Sequence, residues 1–465
     1  MSQSISRRRF LGQLNCAAIS SLPILSTLLN LKLAGSAAAA AAPPGHRALV
    51  CLFFSGGIDS FNVLTPCGAS EYAEYKGVRR ALGLPRASLL PIDPAVSAGV
   101  QLGLHPALTG LQSLFQAGHA AFVANVGTLV EPVTKNDYNN GLKRLPQGLY
   151  SHSDQVEQWH TATPNAHSSK GWGGRMADLL QGMNANNTVS MNISLTGSNV
   201  WQSGESAFEY TVSSDGAIAL DGYDRNDTNP WNTVPIRTRA IDAQLAFDYQ
   251  HLLSQAFMDK RRGAMDAYTL FNSATDVTLP ANTTFPDSEL GRQFKMIARA
   301  IAGSSALGQS RQTFFVEYGG WDHHDNLINQ QAAMLPEVDA AVMAFYNCLA
   351  ALGMQKNVTL FTASDFARSL TTDGDGADHA WGGNHFVVGG AVNGRRIYGS
   401  YPSLYLDNPL DVERGRLIPQ VSVDSYFADL ALWLGVPKSS LPVVLPNIAN
   451  FYDVGGAAAP LGIMG

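Results

Sequence analysis

ALVCLFFSGG, residues 48–57, is an unbroken apolar run closed by Ser55, Gly56 and Gly57. A run that short, bounded by a glycine turn, reads as a strand buried on both faces. Strands of this kind belong to parallel sheets covered by helices on either side. Working outward, LHPALTGLQSLFQAG (104–118) spaces Leu108, Leu111, Leu114 and Phe115 as a helix with a glycine stop, and AAFVANVG (120–127) follows as another apolar strand. Strand, helix, strand is the repeating unit of an α/β sheet.

The same alternation returns late in the chain. QTFFVEYGG (312–320) reads as a strand, MLPEVDAAVMAFYNCLAALG (334–353) as a helix, and NVTLFTASDF (357–366) and HFVVGGAV (385–392) as strands. The intervening 184–286 is rich in Asn, Ser, Thr, Gly and Asp, with one helical island at 240–265; it reads as a loop-rich insertion covering one edge of the sheet. The expected fold is therefore one three-layer α/β sandwich with a mainly parallel sheet. In such sheets ligands collect beyond the carboxyl ends of the strands.

The amino terminus tells a separate story. Ser6-Arg7-Arg8-Arg9-Phe10-Leu11, then a weakly apolar stretch over 17–33 and an alanine-rich tract over 34–42, have the order of a twin-arginine signal peptide. A spanning helix needs about 20 predominantly apolar residues, and Pro23, Asn30 and Lys32 interrupt this one. The expectation is a leader at 1–42, engagement of the Tat translocase, a folded domain at 43–465 with no stable membrane anchor, and a periplasmic or secreted protein.

The chain holds 31 Lys plus Arg and 37 Asp plus Glu; Arg7, Arg8, Arg9 and Lys32 fall in the leader, which leaves the remainder at −10. An acidic balance without a basic run argues against nucleic acid and anionic membranes as partners. Cys51, Cys67 and Cys348, scattered and odd in number, imply no disulfide framework.

Metal-type ligands stand at or beside the strand ends. Asp59 follows the first glycine turn; Asp322, His323, His324 and Asp325 follow Gly319-Gly320-Trp321; Asp365 and Arg368 follow Ser364; Asp378, His379 and His385 bracket the next turn. Mixed imidazole and carboxylate sets suit zinc first, with manganese or calcium as alternatives. YSHSDQVEQWH (150–160) reads two ways. Ser151 or Ser153 is a plain helix N-cap, or a hydroxyl held where unpaired N–H groups stabilise an anion, as a nucleophile on phosphate or sulfate would be. No Gly-x-Ser-x-Gly elbow, P-loop or Gly-x-Gly-x-x-Gly accompanies the first strand.

The ordered set FFSGGIDSFNVLTP, LGLHPALTGLQSLFQAGHAAFVANVG, SHSDQVEQW, GGWDHHDN, SDFARS and DHAWGGNHFVVGGAVNGRRIYG, behind the twin-arginine leader, resembles the DUF1501 family of exported bacterial proteins. The resemblance implies an alkaline phosphatase and sulfatase-like fold, with one or two divalent metals at the carboxyl edge of the sheet. It implies Asp59, Asp322, His324, Asp365, Asp378, His379 and His385 as metal ligands and Ser151 as the nucleophile. Arg368 would neutralise developing charge. Departures from the superfamily pattern count against two metals and leave a single metal or a degenerate site: Asp322 and His324 are two apart instead of four, and Phe366 follows Asp365 where a histidine is expected. The function implied is an exported metal-dependent hydrolase of small-molecule or polymeric phosphate or sulfate esters. The competing expectation is a non-catalytic exported binding protein with a degenerate metal site.

Overall fold

The computed structural model describes residues 45–465 and Gly35; the leader read over 1–42 lies, apart from Gly35, outside the described residues. The protein is a mixed α/β sheet sandwiched between helices. Its central strands are β1 (Arg47–Phe54), β2 (Ala120–Gly127), β3 (Asn192–Ser194), β4 (Arg311–Tyr318), β5 (Val358–Ser364) and β6 (Gly383–Gly389). Across the sheet they run β2, β6, β5, β1, β4, β3. β1 pairs in parallel with β5 and β4, and β4 with β3. β6 is antiparallel to both neighbours, so its first residues, not its last, lie at the carboxyl edge of the others.

β1 shows why it is central. Ala48, Val50, Leu52 and Phe54 enter one core and Leu49, Cys51 and Phe53 the other, the two-residue period of a strand with both faces covered. Full burial of a large apolar side chain contributes about 1.5–3 kcal/mol. Helices α1 (Thr109–Gln116), α4 (Glu289–Ala302) and α5 (Leu327–Ala351) supply the first core. The second is covered by α2 (His152–Thr161), α3 (Trp172–Leu180) and α6 (Val423–Leu434).

Several element ends differ from the sequence reading. α1 starts at Thr109, after Pro106, and Leu102–Leu104 is a short strand pairing with Leu64–Pro66. The α1 start is fixed from afar: Asp339 of α5 accepts the Gly110 and Leu111 N–H groups at 2.8 Å each. α5 begins earlier than read and continues through Pro336, which removes one helical hydrogen bond without ending a helix so well packed. Between 184 and 286 the chain adds β3 and the short strands Tyr210–Ser213 and Gly216–Ala217 to one sheet edge, then two helices, Val234–Ala246 and Leu252–Thr275. No helix among the described residues is long and apolar enough to cross a membrane.

Candidate functional site

Beyond the carboxyl ends of β1, β4 and β5, four side chains converge. After β4 the chain alternates, with Trp321 and His323 buried and Asp322 and His324 exposed. Backbone bonds His323 N to Trp321 O (2.8 Å) and His324 N to Asp322 O (3.0 Å) hold that zigzag. Residues two apart in such a stretch share a side, so Asp322 and His324 project together. The hairpin of Arg368–Thr372 with Ala377–His379 places His379 opposite Arg368. α2 contributes His152 from its first position.

Asp322 Oδ1 lies 3.4 Å from His152 Nε2, 3.1 Å from His324 Nε2 and 3.4 Å from His379 Nε2; the last two nitrogens are 2.9 Å apart. Zinc bonded tetrahedrally at about 2.0–2.1 Å has ligand atoms roughly 3.3 Å from one another, and these four contacts are of about that size. The orientation of the rings fits too. His152 Nδ1 donates to Asp365 Oδ2 at 2.6 Å and His379 Nδ1 donates to the Tyr150 carbonyl at 2.7 Å. Each bond turns an Nε2 lone pair towards Asp322, the arrangement that orients metal-binding histidines. His152 Nε2 is buried and forms no hydrogen bond. His152, Asp322 and His379 form one metal-capable group, and His324, Asp378 and His379 another. The cluster can coordinate a divalent metal.

The local electrostatics differ from group to group. The Asp365 bond raises the His152 pKa against the opposing effect of burial. His379 is lowered, by burial first and then by the Arg368 charge and the neighbouring imidazoles, with the Tyr150 bond working the other way. Burial tends to raise Asp322, but the hydrogen bond and charge of Arg368 outweigh it and leave the carboxyl below its ordinary value. Arg368 is fully buried: it donates to Asp322, the carbonyls of Gly56 and Trp321, Gly57 O (2.8 Å) and Ala377 O (3.0 Å). Phe366 stacks on His379 with ring centroids 4.5 Å apart and closes the apolar side.

Glycines make this packing sterically feasible. Gly56 and Gly57 have φ of +114° and +81°, and a Cβ on them would meet the Trp321–Asp322 backbone and the Phe366 ring respectively.

Of the residues singled out from sequence, the fold brings Asp322, His324, Asp378 and His379 together. Asp378 is also bonded by Arg416 (2.5 Å) and Arg414 (3.2 Å). Asp365 stands behind His152, its other oxygen accepting Gly56 N–H at 3.0 Å. Asp59 is elsewhere: fully buried, it pairs with Arg79 of the helix Ala69–Arg79, and burial raises its pKa despite that partner. His385 lies within β6, 3.2 Å from Thr362 Oγ1 and edge-on to Trp159, with burial lowering its pKa to about 3. Neither Asp59 nor His385 belongs to a metal-capable group among the described residues. Ser151 is the N-cap residue of α2, but its hydroxyl donates to Asp154 Oδ2 at 2.5 Å and caps no backbone N–H.

Sequence reasoning missed His152. Its signal was adjacency: it follows Ser151 in a segment already marked as a helix start, and helix starts at the carboxyl edge of a sheet face the site.

The family model for DUF1501, described as a protein of unknown function, matches residues 46–414. The chain belongs to the DUF1501 family. No curated protein matches this DUF1501 sequence. Among solved structures it is similar to Ps i-CgsB in complex with k-i-k-neocarrahexaose, with TM-score 0.30 and 9% identity over 84% of this chain and 72% of that one. It is similar to the lipoteichoic acid synthase LtaP from Listeria monocytogenes, with TM-score 0.27 and 8% identity over 84% and 72%. For the alkaline phosphatase PafA the values are 0.25 and 12%, over 70% and 64%. Likeness at that level says nothing about chemistry, which rests on the side chains.

Proposed function

We propose that this DUF1501 protein is a metal-dependent hydrolase of phosphate or sulfate esters that acts outside the cytoplasm after twin-arginine export. The observation that supports it is the approach of three imidazole nitrogens, His152 Nε2, His324 Nε2 and His379 Nε2, to 3.1–3.4 Å from Asp322 Oδ1 at the carboxyl edge of the sheet. Zinc suits this donor set best, with manganese as the alternative; calcium prefers oxygen ligands. A metal held there would polarise an ester oxygen and acidify a hydroxyl or water.

The chain's own groups then have distinct tasks. His152 and His379 present lone pairs because Asp365 and the Tyr150 carbonyl hold their opposite nitrogens. Ser151 stands between Tyr150 and His152, at the positive end of α2, where an anionic ester would be favoured. The Asp154 carboxylate accepts the Ser151 hydroxyl's hydrogen bond and would take its proton as the oxygen attacks; a water in the same place is the alternative nucleophile. Arg368 is buried, so it acts through Asp322, holding that carboxylate ionised and in place.

One feature favours the non-catalytic reading: the Arg368 guanidinium already neutralises Asp322 and lowers the attraction of the set for a cation. The deciding experiment is metal content by mass spectrometry on full-length protein purified without chelator. Turnover of aryl phosphate and aryl sulfate esters is measured alongside, in wild type, Asp322→Asn and His379→Ala. Metal and turnover lost together in folded variants support the hydrolase. Folded wild-type protein without metal or turnover overturns it and leaves the binding protein.

A further inference from the structure

The helices Val234–Ala246 and Leu252–Thr275 form an arm on the edge of the molecule. Arg262 donates to the Leu245 carbonyl and ties the two together. Beyond that tie, none of residues 246–257 is buried. This tip nevertheless carries Phe247, Leu252, Leu253 and Phe257, which are 64%, 81%, 73% and 66% exposed. Among the described residues, nine of the fourteen exposed large apolar side chains lie between 208 and 257, so the exposure is concentrated and not the scatter expected of an ordinary surface.

The pattern along the second helix indicates what the tip meets. Leu253 and Phe257 are four apart, and Lys260 and Arg261 lie three and four beyond Phe257, so one face passes from apolar at the tip to basic one turn behind it. Lys260 and Arg261 form no ion pair among the described residues, whereas Arg262 is paired with Asp259 at 3.1 Å. Asp248 and Asp259 are the acidic residues of 246–262, against three basic ones, in a chain of net charge −6. The tip is the bend between two helices, and the cavity at the foot of the arm, lined in part by Leu245, Arg261 and Arg262, takes in none of residues 246–257. A bilayer accepts a convex apolar tip without shape matching, and basic residues one turn back reach the headgroup phosphates.

We propose that the arm tip inserts reversibly into the surface of an anionic lipid bilayer. The acidic average of the whole chain, which argued against such a surface, conceals this local inversion. The inference is independent of the metal cluster.

The test is flotation of the full-length protein with vesicles of phosphatidylcholine alone or with phosphatidylglycerol, comparing wild type with Leu252→Ser/Leu253→Ser/Phe257→Ser. Because Arg7–Arg9 would also attract anionic vesicles, the readout is the difference between the two proteins. Hydrogen exchange at 246–257 is followed as well. The expected result is stronger binding with phosphatidylglycerol, a loss of roughly tenfold or more in the folded triple variant, and slowed exchange confined to the tip. Equal partitioning of wild type and variant, or unchanged exchange, overturns the proposal. So does lipid-free dimerisation of wild type that the variant abolishes, which would assign the tip to a second copy.

Discussion

Replacing Asp365 by Asn changes one atom and tests the cluster at the point where its geometry is set. In wild type, one carboxylate oxygen accepts the Gly56 N–H at 3.0 Å and the other accepts His152 Nδ1–H at 2.6 Å. Asn has one oxygen. The Gly56 N–H is fixed in the backbone turn, so the amide oxygen stays with it and the NH2 faces Nδ1. That reverses the imidazole tautomer and puts the proton on Nε2, where the lone pair towards Asp322 had been. Removing such a support typically weakens metal binding 10- to 100-fold, which is about 1.4–2.8 kcal/mol. The lost charge-assisted bond costs about 1.5–3 kcal/mol of stability as well. The assay is competition for zinc against a chromophoric chelator at neutral pH, with circular dichroism to establish folding. Folded Asp365→Asn protein that binds zinc as tightly as wild type would refute the role given to His152.

Three further outcomes follow from the same geometry. His379→Ala is expected to lose bound metal while remaining folded, whereas His385→Ala keeps its metal and is destabilised by about 2 kcal/mol or more, as for a truncated core side chain; metal analysis with urea unfolding separates them. Asp424 is fully buried, and burial raises its pKa to about 8 from 3.8 against the opposing effects of nearby backbone N–H groups and the Arg175 charge. Since the unfolded chain ionises first, the stability tied to the protonated form is complete below about pH 4 and is lost as pH rises through about 8. Asp424→Asn should then unfold at higher urea than wild type at pH 9, by up to a few kcal/mol, with the difference vanishing near pH 4. Gly57→Ala, at φ +81° and against the Phe366 ring, should cost about 1–3 kcal/mol and displace Phe366 from His379, lowering metal affinity with stability; unchanged melting and zinc binding would contradict the packing described.

The central strands were legible in residues 48–54, 120–127 and 312–318 because burial on both faces demands an unbroken apolar run, and glycine turns mark where such a run must stop. The ends of α1 and α5 were less so, since one is fixed by the distant Asp339 carboxylate and the other runs through Pro336. For the site, sequence narrowed the candidates to polar residues after strand ends, and the spacing of Asp322 and His324 is local enough to be read as one pair. What only the tertiary structure decided is which of the others join them. Asp59 and Asp365 each follow the end of a parallel strand, yet one turns inward to Arg79 and the other holds His152. His385 sits inside a strand whose antiparallel direction depends on its neighbours. His152 arrives on a helix from another part of the chain. The pairing of Asp365 with His152 and Gly56 joins residues more than 200 apart in the chain, and a linear pattern carries no record of a contact until the chain has folded to make it.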